Sequence, residues 1–93
     1  MATTVDQRPI PLNRPRPNYT EEARLNRVRG IVRARLLVGA DGMVKLVRIL
    51  YGLPDGLSEE AIRAAYQLRF KPAMKGGSPV AYWVSVEIEF NLC

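Results

Sequence analysis

Histidine is absent from this 93-residue chain, and cysteine occurs once, as Cys93. The first absence removes every triad built on an imidazole base. Together the two leave no donor set for a zinc finger or a structural transition-metal site. A single thiol has no partner within the chain, so no intramolecular disulfide is expected, although copies could be bridged adventitiously in air. No stretch approaches the roughly 18 apolar residues of a membrane span, and residues 1–20 lack the apolar segment of a secretory leader. What is present is ordinary for a folded domain. Hydrophobic residues make up 47% and charged residues 25%, which excludes a disordered chain. A chain of this length can bury roughly two-thirds of its unfolded surface, enough for one core and no second domain.

Acidic residues are scarce only in part of the chain. Residues 1–35 carry eight Arg against Asp6, Glu21 and Glu22, whereas residues 36–93 carry six basic and six acidic side chains. The whole +5 excess therefore lies in the N-terminal third. Such a stretch suits nucleic acid, an anionic membrane surface or an acidic protein, and equally a solvated arm.

Residues 1–18 form that arm. Pro9, Pro11, Pro15 and Pro17 alternate with Arg8, Arg14 and Arg16. Each proline fixes φ and removes a donor, so the segment is expected to be extended and polyproline-like. It is read as a linker or tail, the end of a spacer continuing upstream of Met1-Ala2, with the folded domain spanning 19–93. Thr20-Glu21-Glu22-Ala23 predicts a helix start, with a hydroxyl cap and two acids at the positive end of the dipole. Gly30 is its expected end. Ser58-Glu59-Glu60-Ala61 predicts a second start of the same kind. There Leu57, Ala61, Ala64, Ala65 and Leu68 recur at helical spacing, and Pro72 is the expected stop.

Three strands follow from period-two alternation. Residues 31–38 place Val32, Ala34, Leu36 and Val38 on one face and Arg33 and Arg35 on the other. A glycine turn at 39–42 leads into residues 43–51, where Val47, Ile49 and Tyr51 share a face. Val44 is out of phase with them, which predicts a bulge near Lys45. Residues 80–92 form the longest run, with Val80, Tyr82, Val84, Val86, Ile88, Phe90 and Leu92 inward. The expected fold is α+β, an α-β-β-α-β two-layer sandwich with both helices on one face of the sheet. A right-handed crossover puts the strands in the order second, first, third. The third strand is thereby left as an edge.

Catalytic chemistry has little to draw on. Glu59 and Glu60 suit a helix dipole, and Glu87 and Glu89 suit the blunting of a sheet edge. Ser58 and Ser85 have no base beside them, and Gly76-Gly77 lacks the Lys-Ser/Thr of a phosphate loop. The chain is therefore read as a non-enzyme without cofactor or metal. An edge strand does offer a function, because an extended peptide can complete it by strand addition. Trp83, on the outer face, either covers the sheet or anchors a ligand.

These pieces in this order resemble the TonB C-terminal domain family. The match runs through Arg-Pro-Asn-Tyr-Thr-Glu-Glu-Ala-Arg (16–24), Val-Arg-Gly-Ile-Val (28–32) and Asp-Gly-Met-Val (41–44). It continues in Glu-Glu-Ala-Ile (59–62), Leu-Arg-Phe-Lys-Pro-Ala (68–73), Gly-Ser-Pro-Val (77–80) and Val-Ser-Val-Glu-Ile-Glu-Phe (84–90). The resemblance implies a periplasmic domain whose parent chain is anchored in the inner membrane. It implies binding of the TonB box of outer-membrane transporters by strand addition, and coupling through the parent to a proton-driven inner-membrane motor complex. Partner contacts then map onto Pro17, Asn18 and Tyr19 before the first helix. They also map onto the edge residues Trp83, Val84, Ser85, Val86, Glu87, Ile88 and Glu89. Thr20 stands where many members have proline, and the family's polar contact residue near the Tyr is variable, so peptide specificity does not carry over. Similar domains end other envelope proteins, including membrane-bound sensor peptidases, and an interaction or sensor module is the alternative. A homodimer through the free edge is a further expectation. Nucleic acid is not expected as a partner, since the arginine arm lacks a stacking-aromatic motif and a recognition helix.

Overall fold

The alternation of residues 30–38 decides the centre of the fold. In the computed structural model, which describes residues 5–92, Val32, Ala34, Leu36 and Val38 share the buried face of one strand and are at most 1% exposed. Met1-Ala2, and Cys93 with its expected thiol chemistry, lie outside the described residues.

In chain order the elements are β1 (Ile10–Pro11), α1 (Glu21–Leu25), β2 (Gly30–Val38) and β3 (Val44–Tyr51). They continue with α2 (Leu57–Tyr66), β4 (Phe70–Lys71), β5 (Ala73–Lys75), β6 (Ser78–Val80) and β7 (Tyr82–Phe90). The main sheet has the order β3-β2-β7, with β2 antiparallel to both neighbours. This is the expected α+β arrangement, with the 43–51 and 80–92 runs flanking the 31–38 strand. Two small ribbons, β1-β4 and β5-β6, are added to it.

The sheet packs on α2 through Leu57, Ala61, Ala64 and Ala65, all buried. The alanines let the helix lie close. Leu36 and Leu57 lose all contact with water, each worth about 2 kcal/mol. α1 has only five residues and could not persist alone. It is held by Ala23, which is buried with Val32, Leu57, Ala61 and Phe90. Thr20 accepts the Ala23 N–H at 3.0 Å and donates its own hydroxyl to the Asp55 carbonyl at 2.6 Å. One side chain thus caps the helix and fastens it to the loop before α2.

Several boundaries differ from the sequence reading, each for a local reason. α1 ends at Leu25 rather than at Gly30; Asn26 closes it and Arg27 turns the chain at φ 54. Gly30 instead opens β2. The cap of α2 is Gly56, not Ser58, whose hydroxyl is engaged with both the N–H and the carbonyl of Leu53. α2 stops at Tyr66, six residues before Pro72, where the chain turns to pair with the arm. The slip at Lys45 is present, since Val38 faces Val44 and Leu37 faces Leu46. A second slip, opposite Arg33 and Ala34, skips Leu50 and swings Tyr51 to the outer face, where it is exposed. The 80–92 run is divided: Val80 belongs to the β5-β6 hairpin, Leu92 lies beyond the strand, and β7 proper is 82–90.

Candidate functional site

β7 has nine residues and, among the described residues, pairs with β2 on one side and with no strand on the other. Its inward residues Val84, Val86 and Ile88 pack against the core beneath β2, while Ser85, Glu87 and Glu89 stand exposed on the outer face. Its other side opens on a groove of about 340 Å³. Val86–Glu89 form one wall, and Ala64, Ala65 and Leu68 of the α2 region form the floor. The far wall comes from the arm, through Pro11, Asn13, Arg14, Pro15 and Pro17.

That wall is in place because the arm is tied down. The N–H of Asp6 donates to the Met74 carbonyl at 2.8 Å, and the Asp6 carboxylate accepts the Gly76 N–H at 2.7 Å. Ile10 and Pro11 pair with Lys71 and Phe70, and the Leu12 N–H donates to the Arg69 carbonyl at 2.8 Å. The stretch 1–18, read from sequence as linker or tail, is thus bonded to the 67–76 region over residues 6–13. Three of the arm's groove-lining residues are prolines, with no N–H to offer. Among the described residues no hydrogen bond joins the arm to β7. The arm flanks the edge without completing its ladder.

The residues singled out from sequence are distributed unevenly around this groove. Pro17 lines it together with Val86, Glu87, Ile88 and Glu89. Asn18 is exposed next to it but is not part of the lining. Tyr19 turns away into the fold: its hydroxyl donates to the Val28 carbonyl at 2.8 Å, and its ring meets Phe90 edge-on at 5.6 Å. Trp83 lies on the outer face under the Arg35 guanidinium, 5.4 Å from ring centroid to guanidinium carbon. Sequence reasoning missed the floor and most of the far wall. The adjacent Ala64 and Ala65, small residues on the sheet-facing side of α2, were the available signal for a hollow there. Nothing in the arm's sequence announced its pairing with Phe70–Lys71.

The outer face carries charge in rows set by the register. Arg33 faces Glu87 and pairs with it at 3.1 Å, while Arg35 stands between Arg48 of β3 and Ser85 of β7. Strand edge, groove, apolar floor and polar outer row adjoin one another.

Comparison with known proteins agrees with this geometry. The family model described as Gram-negative bacterial TonB protein C-terminal matches residues 15–92. The solution NMR structure of the Pseudomonas aeruginosa TonB C-terminal domain superposes with a TM-score of 0.71 at 25% sequence identity, covering 94% of this chain and 89% of that one. No curated protein sequence matches the chain. The family match takes in both helices, the three-stranded sheet and most of the groove, and so the chain belongs to the TonB C-terminal domain family of Gram-negative bacteria, non-enzymatic periplasmic domains involved in TonB-dependent transport.

Proposed function

We propose that this chain is the peptide-binding domain of a TonB-like energy transducer, and that it takes up the TonB box of an outer-membrane transporter as an added strand on β7. The observation that carries this reading is the one-sided pairing of β7 beside an open groove. Among the described residues a row of N–H and C=O groups there lacks a partner strand, and main-chain bonding to an extended peptide is one way such an edge is used. Val86 and Ile88 border an apolar floor that would receive every second side chain of the guest. Pro17 closes the groove at the arm side. Asn18 is exposed beside Pro17 and is assigned to an end of the guest, whereas Tyr19 supports the site by packing on Phe90.

In this reading the parent chain is anchored in the inner membrane and reaches a proton-driven motor complex there, so that pulling on the domain is transmitted to the transporter. A second copy could compete for the same edge, and the homodimer is the expected by-product at high concentration. The test is a titration of the isotope-labelled domain with a peptide from the N-terminus of a candidate transporter. Strand addition requires amide shifts concentrated on residues 83–89 and new exchange protection there. Shifts confined to the loop ends, with 83–89 unchanged, would refute it.

A further inference from the structure

The outer face of the sheet contains a conflict that the fold does not need. Arg35 and Arg48 stand directly opposite each other on β2 and β3. Like charges in that relation are unfavourable. Both side chains are exposed, and among the described residues neither has a carboxylate partner, although Arg33 one row away has Glu87. Arg35 does not stretch into solvent at random. Its guanidinium carbon lies over the Trp83 ring, 5.4 Å from the centroid. Stacking leaves the edge of a guanidinium, with its fork of N–H donors, free to bind an acid. The β7 residue in line with Arg35 is Ser85, small enough not to screen it from the open edge.

We propose that Arg35, steadied by Trp83 and reinforced by Arg48, selects guest strands that carry a carboxylate at the position beside Ser85. The proposal rests on strand addition at β7 and specifies the chemistry of the guest. A strand added there lies about 5 Å from β7 and about 10 Å from β2, a gap within the combined reach of a glutamate and an arginine side chain. The same row logic defines the neighbouring positions. Beside Trp83, which meets Leu37 across the sheet, an apolar side chain is favoured. Beside Glu89, which has no ion-pair partner among the described residues, a second acid is repelled.

The pattern opposes a slip of register in one direction. The smallest slip that keeps the guest's apolar face on the groove is two residues. A slip toward Glu87 moves the guest's acid away from the cation and against a carboxylate, whereas a slip toward Trp83 leaves it near the guanidinium that lies over that ring. An anionic membrane surface fits less well than a peptide, because Glu87 and Glu89 stand exposed on the same face and would meet it together.

The test uses blocked heptapeptides of alternating valine and threonine, valine at both ends, in which the central threonine is Glu, Gln or Lys, titrated at low ionic strength. The expected order of affinity is Glu, then Gln, then Lys, with about fivefold at each step, the upper range for an exposed ion pair. Arg35→Glu should reverse the order, and Arg35→Gln should flatten it without placing a new charge on the face. The preference should also collapse near 1 M salt, where the Debye length is about 3 Å. If Arg35→Gln leaves the full preference intact while Glu87→Pro still abolishes binding, strand addition survives and the arginine filter is wrong. If none of the three peptides binds the unmodified domain, both readings fall.

Discussion

Asn13 holds Arg69 as a paired strand would: its side-chain oxygen accepts the Arg69 N–H at 2.9 Å, and its Nδ2 donates to the Gln67 carbonyl at 3.0 Å. The two residues are 56 positions apart, so one exposed amide side chain fixes the far wall of the groove to the end of α2. Each bond is worth about 1 kcal/mol or less at a wet site. Asn13→Ala should therefore leave the melting transition within a few degrees while speeding amide exchange at Leu12 and Arg69. Peptide affinity should fall with it, because the wall is then free to drift. Exchange at Leu12 as slow as in the parent would show that β1-β4 pairing alone holds the arm.

Gly42 is the most constrained glycine of the chain. It sits at φ 81, and its N–H closes the hairpin on the Gly39 carbonyl at 2.9 Å. A Cβ there would collide with the Phe70 carbonyl oxygen, a backbone atom that cannot step aside. Gly76, at φ 58, has nothing within 4 Å of the same added atom. Gly76→Ala should then cost about 1 kcal/mol for the left-handed backbone alone. Gly42→Ala should cost at least about 2 kcal/mol more, since the clash is added to that strain. Urea unfolding of the two variants side by side decides it, and equal midpoints would contradict the argument.

Asp41 gives the hairpin a pH limit. Its carboxylate accepts from Lys45 Nζ at 2.7 Å and from the Met43 N–H at 3.0 Å, and the Lys45 bond above all holds its pKa below the ordinary 3.8. A depressed folded-state pKa means that the contribution is complete above the unfolded value and is lost as pH falls through the folded one. The stability gap between the parent and Asp41→Asn should be constant from about pH 5 upward and shrink below about pH 4. A gap that widens on acidification would reverse the sign.

Most of the main sheet was legible because its buried face is written in strict alternation at residues 32–38 and 84–90. The order of strands followed from connection rules that leave few choices. The failures occur where a side chain or a distant segment overrides local preference. Ser58 looks like a cap yet spends its hydroxyl on Leu53. Tyr51 looks inward by phase but is turned out by a slip that one extra residue, Leu50, creates. The arm illustrates the same limit for the site. Proline alternation correctly implies an extended chain, but only tertiary contacts from Asp6, Leu12 and Asn13 determine where it lies.

The direction of each N–H on β7 gives the decisive test of strand addition. The Gly39 N–H donates across the hairpin to the Met43 carbonyl at 2.8 Å, toward β3. Stepping by two along β2, odd-numbered N–H groups point to β3 and even-numbered ones to β7. The register of β2 with β7 is unbroken from Gly30–Phe90 to Val38–Tyr82. Paired residues in an antiparallel ladder face each other, so Val84, Val86 and Ile88 donate to β2. Ser85, Glu87 and Glu89 then donate toward the groove. Proline at an edge-facing position removes a donor that the fold does not use, whereas at a ladder position it breaks a bond and crowds the partner strand. Glu87→Pro should therefore keep its circular dichroism spectrum and lose at least tenfold in affinity for a guest peptide, the only other loss being the exposed Arg33 ion pair. Val86→Pro should unfold the domain or lower its stability by about 3 kcal/mol. If Glu87→Pro and Ser85→Pro both stay folded and bind as well as the parent, the guest does not pair with this edge and must dock on the arm side, around Pro17 and Asn18.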